Sequence, residues 1–141
     1  MMLTEKTEFT PLQFGAAADG KTLDTKAIQK AIDQAAAVGG LVRIPAGIYL
    51  TGSLFLKSNV TFHMEEGAVI LGASEECQYP VIPSRVAGIE MKWPAGVMNV
   101  IGQKNVKITG KGLIDGQGDF WWEKYWGTDR HGGMRREYED R

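Results

Sequence analysis

Residues 110–122 read Gly-Lys-Gly-Leu-Ile-Asp-Gly-Gln-Gly-Asp-Phe-Trp-Trp, and this run narrows the possible folds more than any other part of the chain. Four glycines fall among residues that otherwise suit a strand. Glycine inside a strand pattern marks a sharp corner or a close approach of two backbones. Corners this closely spaced require the chain to turn, run briefly and turn again. The short apolar step Leu113-Ile114 between them suits one side of a coil wound upon itself, as in a parallel β-helix.

The remainder of the chain fits that texture. The 18 glycines among 141 residues exceed the roughly 7% of average usage and favour a turn-rich all-β core over a helical bundle. A formal net charge of −1 offers no basic excess for nucleic acid or an anionic membrane. Cys77 is the single cysteine, so an internal disulfide is excluded, and a small, semi-buried apolar role is expected for it. The first twenty residues carry Glu5, Lys6, Glu8 and Asp19 without an apolar run and lack the pattern of a secretory signal. No window reaches the roughly 18 apolar residues that cross a bilayer.

Phe9, Leu12 and Phe14 are possible anchors near the start, and residues 15–20 read as a loop. Asp24 is placed to cap a helix over about 24–38, since its carboxylate can accept from the first-turn amides. Ala27, Ile28, Ala31, Ile32, Ala35 and Val38 form one apolar stripe, and Gly39-Gly40 ends it. Such a helix ahead of an all-β run suits the open end of a coil stack. Short strands punctuated by polar or glycine corners follow over about 41–116. In one of them Val60, Phe62 and Met64 face one way, and Thr61 and His63 the other. Residues 54–62 echo 100–108, bringing Asn59 and Asn105 to the same corner, and residues 67–71 match 112–116 after a one-residue slip. Residues 73–94 have no period and contain Pro80, Pro83 and Pro94, which predicts a long inserted loop. Residues 117–141 read as an aromatic and charged loop without a closing apolar element, so one truncated β-helix segment over 1–141 is expected.

With these residues the chain resembles the family 28 glycoside hydrolases, the polygalacturonase group of the pectin-lyase-like β-helix superfamily. The resemblance is carried by Phe14-Gly15 with Asp19-Gly20, by residues 24–32, by Gly39-Gly40 with Ile44-Pro45-Ala46-Gly47, and by Asn105-Val106-Lys107-Ile108-Thr109-Gly110. Most specific is Gly112-Leu113-Ile114-Asp115-Gly116-Gln117-Gly118 leading to Trp121-Trp122. It implies a right-handed parallel β-helix with an N-terminal cap helix, a pectic polysaccharide or oligogalacturonide as partner, no cofactor, and an extracellular or periplasmic location. It implies an inverting hydrolase using a carboxylic acid and a carboxylate base. The family's later Asn-Thr-Asp, Asp-Asp, Gly-His-Gly and Arg-Ile-Lys motifs do not occur in residues 1–141. The catalytic aspartates are therefore expected downstream, and this chain alone is expected to be inactive. A calcium-dependent pectate-type lyase and a non-catalytic β-helical carbohydrate-binding or tailspike module are the alternatives.

Several side chains admit two readings. Asp115 either faces a saccharide cleft or bonds backbone amides at a corner. With Asp119 it falls short of the six to eight oxygens calcium takes, and no metal is assigned. Trp121, Trp122, Tyr125 and Trp126 form either a sugar-stacking platform or a hydrophobic plug. Arg130, Arg135 and Arg136 either pair with uronate carboxylates or belong to a solvated charged loop. Trp121, Trp122 and Arg130 are the candidate substrate-binding residues. His63 and His131 offer no zinc spacing, Glu65-Glu66 read as a solvated corner, and the glycine run has no nucleotide-binding spacing.

Overall fold

The computed structural model describes residues 7–127. Ten of its strands fall into three stacked parallel sheets, visited in turn as the chain winds. One sheet is built from β1 (Glu8–Phe9), β3 (Leu41–Ile44), β6 (Thr61–Met64) and β11 (Lys107–Gly110). A second contains β2 (Asp19–Leu23), β4 (Gly47–Thr51), β7 (Ala68–Gly72) and β12 (Leu113–Asp115). A third pairs β5 (Leu54–Phe55) with β10 (Met98–Asn99). Every neighbouring pair in these sheets is parallel, so each strand returns onto its sheet only after a full circuit. The register stacks Arg43, His63 and Thr109 in one column and Tyr49 on Ile70 in another.

The helix α1 (Thr25–Val38) takes the side of the first circuit where the third sheet would otherwise begin. Ile28, Ala31, Ile32 and Ala35 are fully buried against Val42, Ile44, Tyr49, Leu54, Phe62 and Ile70. Burial of the larger of these side chains, such as Ile28 and Ile32, stabilises by about 1.5–3 kcal/mol each, before conformational entropy is subtracted. Val38, assigned to the apolar stripe by periodicity, is 59% exposed. Gly39 adopts φ +62° and donates its amide to Ala35, closing the helix.

The exposed edge of β5 is met by a side chain. Gln29 Oε1 accepts the Phe55 amide at 2.9 Å, and its Nε2 donates to the Phe55 carbonyl at 3.0 Å. One carboxamide thus supplies the donor and acceptor a neighbouring strand would have offered.

Asp24 departs from the capping expectation. It sits at the N-cap position but makes no side-chain bond to the helix. Its buried carboxylate accepts the amides of Ala17 and Ala18, each at 2.9 Å, and ties the preceding segment to the coil. Thr25 Oγ1 accepts the Gly52 amide at 2.8 Å. Residues 19–23, partly read as loop, form β2. Phe9 and Phe14 pack on the core, whereas Leu12 is 47% exposed.

The echo holds at the corner and slips on both sides of it. Asn59 and Asn105 stack, and β6 meets β11 with the expected offset. Leu54 lies opposite Met98 and not Val100, and Val69 lies opposite Leu113 and not Ile114. The second corner segment, from Asn99 to Asn105, is longer than its counterpart from Phe55 to Asn59, and the next corner is shorter. Strand pairing depends on each corner's length, so similarity between copies did not fix register there.

Candidate functional site

The third circuit, β6–β7–β10, opens between β7 and β10. Residues 73–97 leave the stack and return as an antiparallel ribbon, β8 (Val81–Val86) with β9 (Ile89–Pro94). This corrects the expectation of a long loop. The ribbon turns at Ala87 and Gly88, both at positive φ (51° and 82°), the two-residue geometry that matches strand twist. Pro83 is tolerated because a two-stranded ribbon has outer edges that need no ladder bond. Along it Ile82, Val86, Ile89, Met91 and Trp93 share one face by strict alternation, while Arg85, Glu90 and Lys92 take the other.

Facing the ribbon is a second helix, α2 (Gly118–Trp126), where an irregular aromatic loop was expected. Gln117 sets its entry with φ +53° and donates Nε2 to the Gly72 carbonyl at 2.6 Å. Asp119 in the first turn and Lys124 in the last complement the helix dipole. Lys124 also pairs with Glu76 at 3.0 Å, fastening α2 to the start of the insertion.

Aromatic edges join the two pieces. Tyr79 meets Trp121 edge-to-face at 5.0 Å, and Trp93 meets Tyr125 at 6.0 Å. Trp122 and Trp126 continue the cluster at 5.6 Å, and Tyr125 touches Trp126 at 5.0 Å. Tyr79 is buried and donates its hydroxyl to the Ala73 carbonyl at 2.8 Å; burial raises its phenol pKa. Gly72 lies where insertion and third circuit converge: a Cβ there would come within 3.0 Å of both the Tyr79 hydroxyl and Val97.

Between ribbon and helix is an open cavity of about 740 Å³ lined by Tyr79, Trp93, Val97, Trp121, Trp122 and Tyr125 among others. Trp121 and Trp122, singled out from sequence, both line it, and Trp122 is 61% exposed. Trp93 and Tyr79 were not singled out; their signal was two large aromatics amid prolines in the aperiodic stretch. Arg130, Arg135, Arg136 and His131 lie outside the described residues.

The carboxylates are distributed differently. Asp115 and Asp119 share a smaller polar pocket of about 350 Å³ with Ser74, Gln117 and Phe120. Asp115 Oδ1 accepts the Gln117 amide at 2.9 Å, the backbone-bonding role weighed for it. Asp19 is likewise held by a turn: the amides of Thr22 and Lys21 lower its pKa. Asp33 pairs with Lys57 at 2.7 Å. Glu65, read as part of a solvated corner, instead pairs with Arg43 at 2.8 Å, and Arg43 also approaches Glu8. His63 Nδ1 lies 2.8 Å from Thr109 Oγ1. Cys77 is exposed, not semi-buried, because it rides on the solvent side of a 3-10 turn. Among the described residues no group of three or more His, Cys, Asp or Glu is placed to hold a metal, and no helix is long and apolar enough to cross a membrane.

Three parallel sheets wound in register under a cap helix define a right-handed parallel β-helix. The chain belongs to the family described as rhamnogalacturonase A/epimerase, pectate lyase-like, whose profile matches residues 12–85. It is 41% identical over 114 residues to an exo-poly-alpha-D-galacturonosidase of Dickeya chrysanthemi, covering 75% of this chain and 19% of that protein. Among solved structures it is similar to the family 28 exopolygalacturonase of Yersinia enterocolitica, with 41% identity and a TM-score of 0.71 over 79% of this chain and 21% of that one. The hyperthermoactive exopolygalacturonase of Thermotoga maritima superposes with a TM-score of 0.80 at 29% identity, over 95% of this chain and 32% of that one. The chain thus spans about a fifth of the length of the Dickeya relative.

Proposed function

We propose that the whole protein is a glycoside hydrolase that cleaves galacturonosyl linkages of pectic polysaccharide with inversion, and that its acid and base carboxylates lie outside residues 1–141. The 41% identity to an exo-poly-alpha-D-galacturonosidase carries this reading. The carboxylates of Asp19, Asp24, Asp33, Glu65, Glu76 and Asp115 all have structural partners, which supports placing the catalytic pair elsewhere. Residues 1–141 then form one β-helix segment. Its contribution to the site is the aromatic cavity, where Trp121 and Trp122 offer indole faces to a pyranose. Arg130, outside the described residues, is proposed as a partner for a uronate carboxylate. Pectic polymers are extracellular, which favours an extracellular or periplasmic location.

Release of reducing ends from polygalacturonate tests the assignment. The whole protein is expected to release them without unsaturated products, and the 141-residue chain alone is expected to release none. Unsaturated, ultraviolet-absorbing products dependent on calcium would replace the hydrolase with a lyase. Turnover by the 141-residue chain would show that its own carboxylates suffice.

A further inference from the structure

We infer that Gln117 is a positioning residue for the aromatic cavity: it fixes how α2 leaves the coil and so aims the Trp122 indole at a sugar. This rests on the stacking site proposed above. Gln117 holds a left-handed backbone, with φ 53° and ψ 53°, at the N-cap of α2. Glutamine strains in that conformation and glycine does not. A long side chain kept at such a corner marks a task that glycine could not perform.

That task is visible in its bonds. The carboxamide Nε2 donates to the Gly72 carbonyl at 2.6 Å, and the backbone amide donates to Asp115 Oδ1 at 2.9 Å. The corner is thereby tied to β12, which leads into it, and to β7 in the circuit below. Gly72 and Ala73 are also where the insertion departs from β7. Gln117 takes the first of these two carbonyls, and the buried Tyr79 hydroxyl takes the second at 2.8 Å. The Tyr79 ring then meets Trp121, about one helical turn beyond Gln117, edge-to-face at 5.0 Å. The contacts close a ring that runs from the backbone at 72–73 through Gln117 and α2 to Trp121, and back through Tyr79. Trp122 follows directly on the held Trp121 and is 61% exposed on the cavity wall. Its direction depends on the rotation of α2 about its own axis, because successive side chains differ by about 100° around a helix. In a helix of 9 residues, a corner that swivels turns the indole away from its ligand.

The test is made on the whole protein, by following reducing-end release against polygalacturonate concentration. Trp122→Ala is expected to raise KM about tenfold with kcat little changed, the mark of lost substrate binding. Gln117→Asn keeps a residue that tolerates the left-handed corner but, one methylene shorter, does not reach Gly72. It is expected to melt close to wild type and to raise KM about threefold, again with kcat little changed. In the Trp122→Ala background the same change is expected to add nothing further, because the indole it aims is gone. A KM left unchanged by Gln117→Asn while the melting temperature falls would make the bond purely structural. That result, or a rise in KM that multiplies in full onto Trp122→Ala, overturns the inference and leaves the stacking site in place. An unchanged KM for Trp122→Ala overturns the stacking site and the inference together.

Discussion

Asn105 Nδ2 donates to Asn59 Oδ1 at 3.3 Å from one circuit to the next, and both residues hold a left-handed backbone with φ of 57° and 67°. The Asn59 amide also donates to the Lys104 carbonyl at 3.0 Å, so the corner is joined through backbone and side chain together. Asparagine tolerates this conformation, whereas alanine strains in it. Asn59→Ala is expected to cost about 1–3 kcal/mol from strain and the lost bond. Asn59→Gly removes the strain but not the lost bond, so its melting temperature should fall between wild type and Asn59→Ala.

Gln29 closes the edge of β5 with one donor and one acceptor. Removing the carboxamide leaves two partly buried backbone groups of Phe55 without their partners. Gln29→Ala should destabilise by about 1–3 kcal/mol, read from the urea midpoint. Gln29→Glu keeps the acceptor and loses the donor at neutral pH. Part of its deficit should therefore be recovered when the pH is lowered enough to protonate the introduced carboxyl.

Gly110 ends β11 at φ +99°, and a Cβ there would collide with the Met64 carbonyl one circuit below. Gly102 has φ +65° but open space around it. Gly102→Ala should cost only about 1–2 kcal/mol of backbone strain. Gly110→Ala should release the circuit of β11 and β12 altogether. Hydrogen exchange would show this as lost protection over Lys107–Gly110 with protection retained over Leu41–Ile44.

Tyr49 and Tyr79 donate their hydroxyls to the carbonyls of Pro45 and Ala73. Burial raises the pKa of both above the ordinary value of 10.0, and the charge of Asp24 adds to the rise at Tyr49. A raised folded-state pKa means stability that is complete below the unfolded value and is lost as pH climbs through the folded one. The melting temperature should therefore decline above pH 10.0. Tyr79→Phe should start lower at neutral pH, having lost the bond to Ala73, and decline less steeply.

The coil was legible because its signals are local. Apolar alternation in Val60–Phe62–Met64, the stripe from Ile28 to Ala35, and asparagine at two matching corners each follow from one residue's stereochemistry. The ribbon was not legible, because prolines interrupt its strands and its turn uses Ala87-Gly88 in place of an Asn-Gly pair. The helix α2 was hidden by its composition: a glycine start and aromatics with modest helix propensity, held in place by Tyr79, Trp93 and Glu76 from elsewhere in the chain. Asp24 shows the same limit. Its position marked the helix start, while its carboxylate turned to amides of a segment whose path the sequence did not reveal. Of the candidate site, the pair Trp121-Trp122 was visible as a motif, and the opposing wall with Trp93 was visible only once the insertion was folded.

Everything proposed depends on the winding of the chain, and interstrand nuclear Overhauser contacts between backbone amides and α-protons measure it directly. Contacts are expected from Leu41–Ile44 to Thr61–Met64, and from these to Lys107–Gly110, all running in the same ascending order. Contacts in descending order, or pairing of Leu41–Ile44 with the adjacent Gly47–Thr51 as a hairpin, would contradict it.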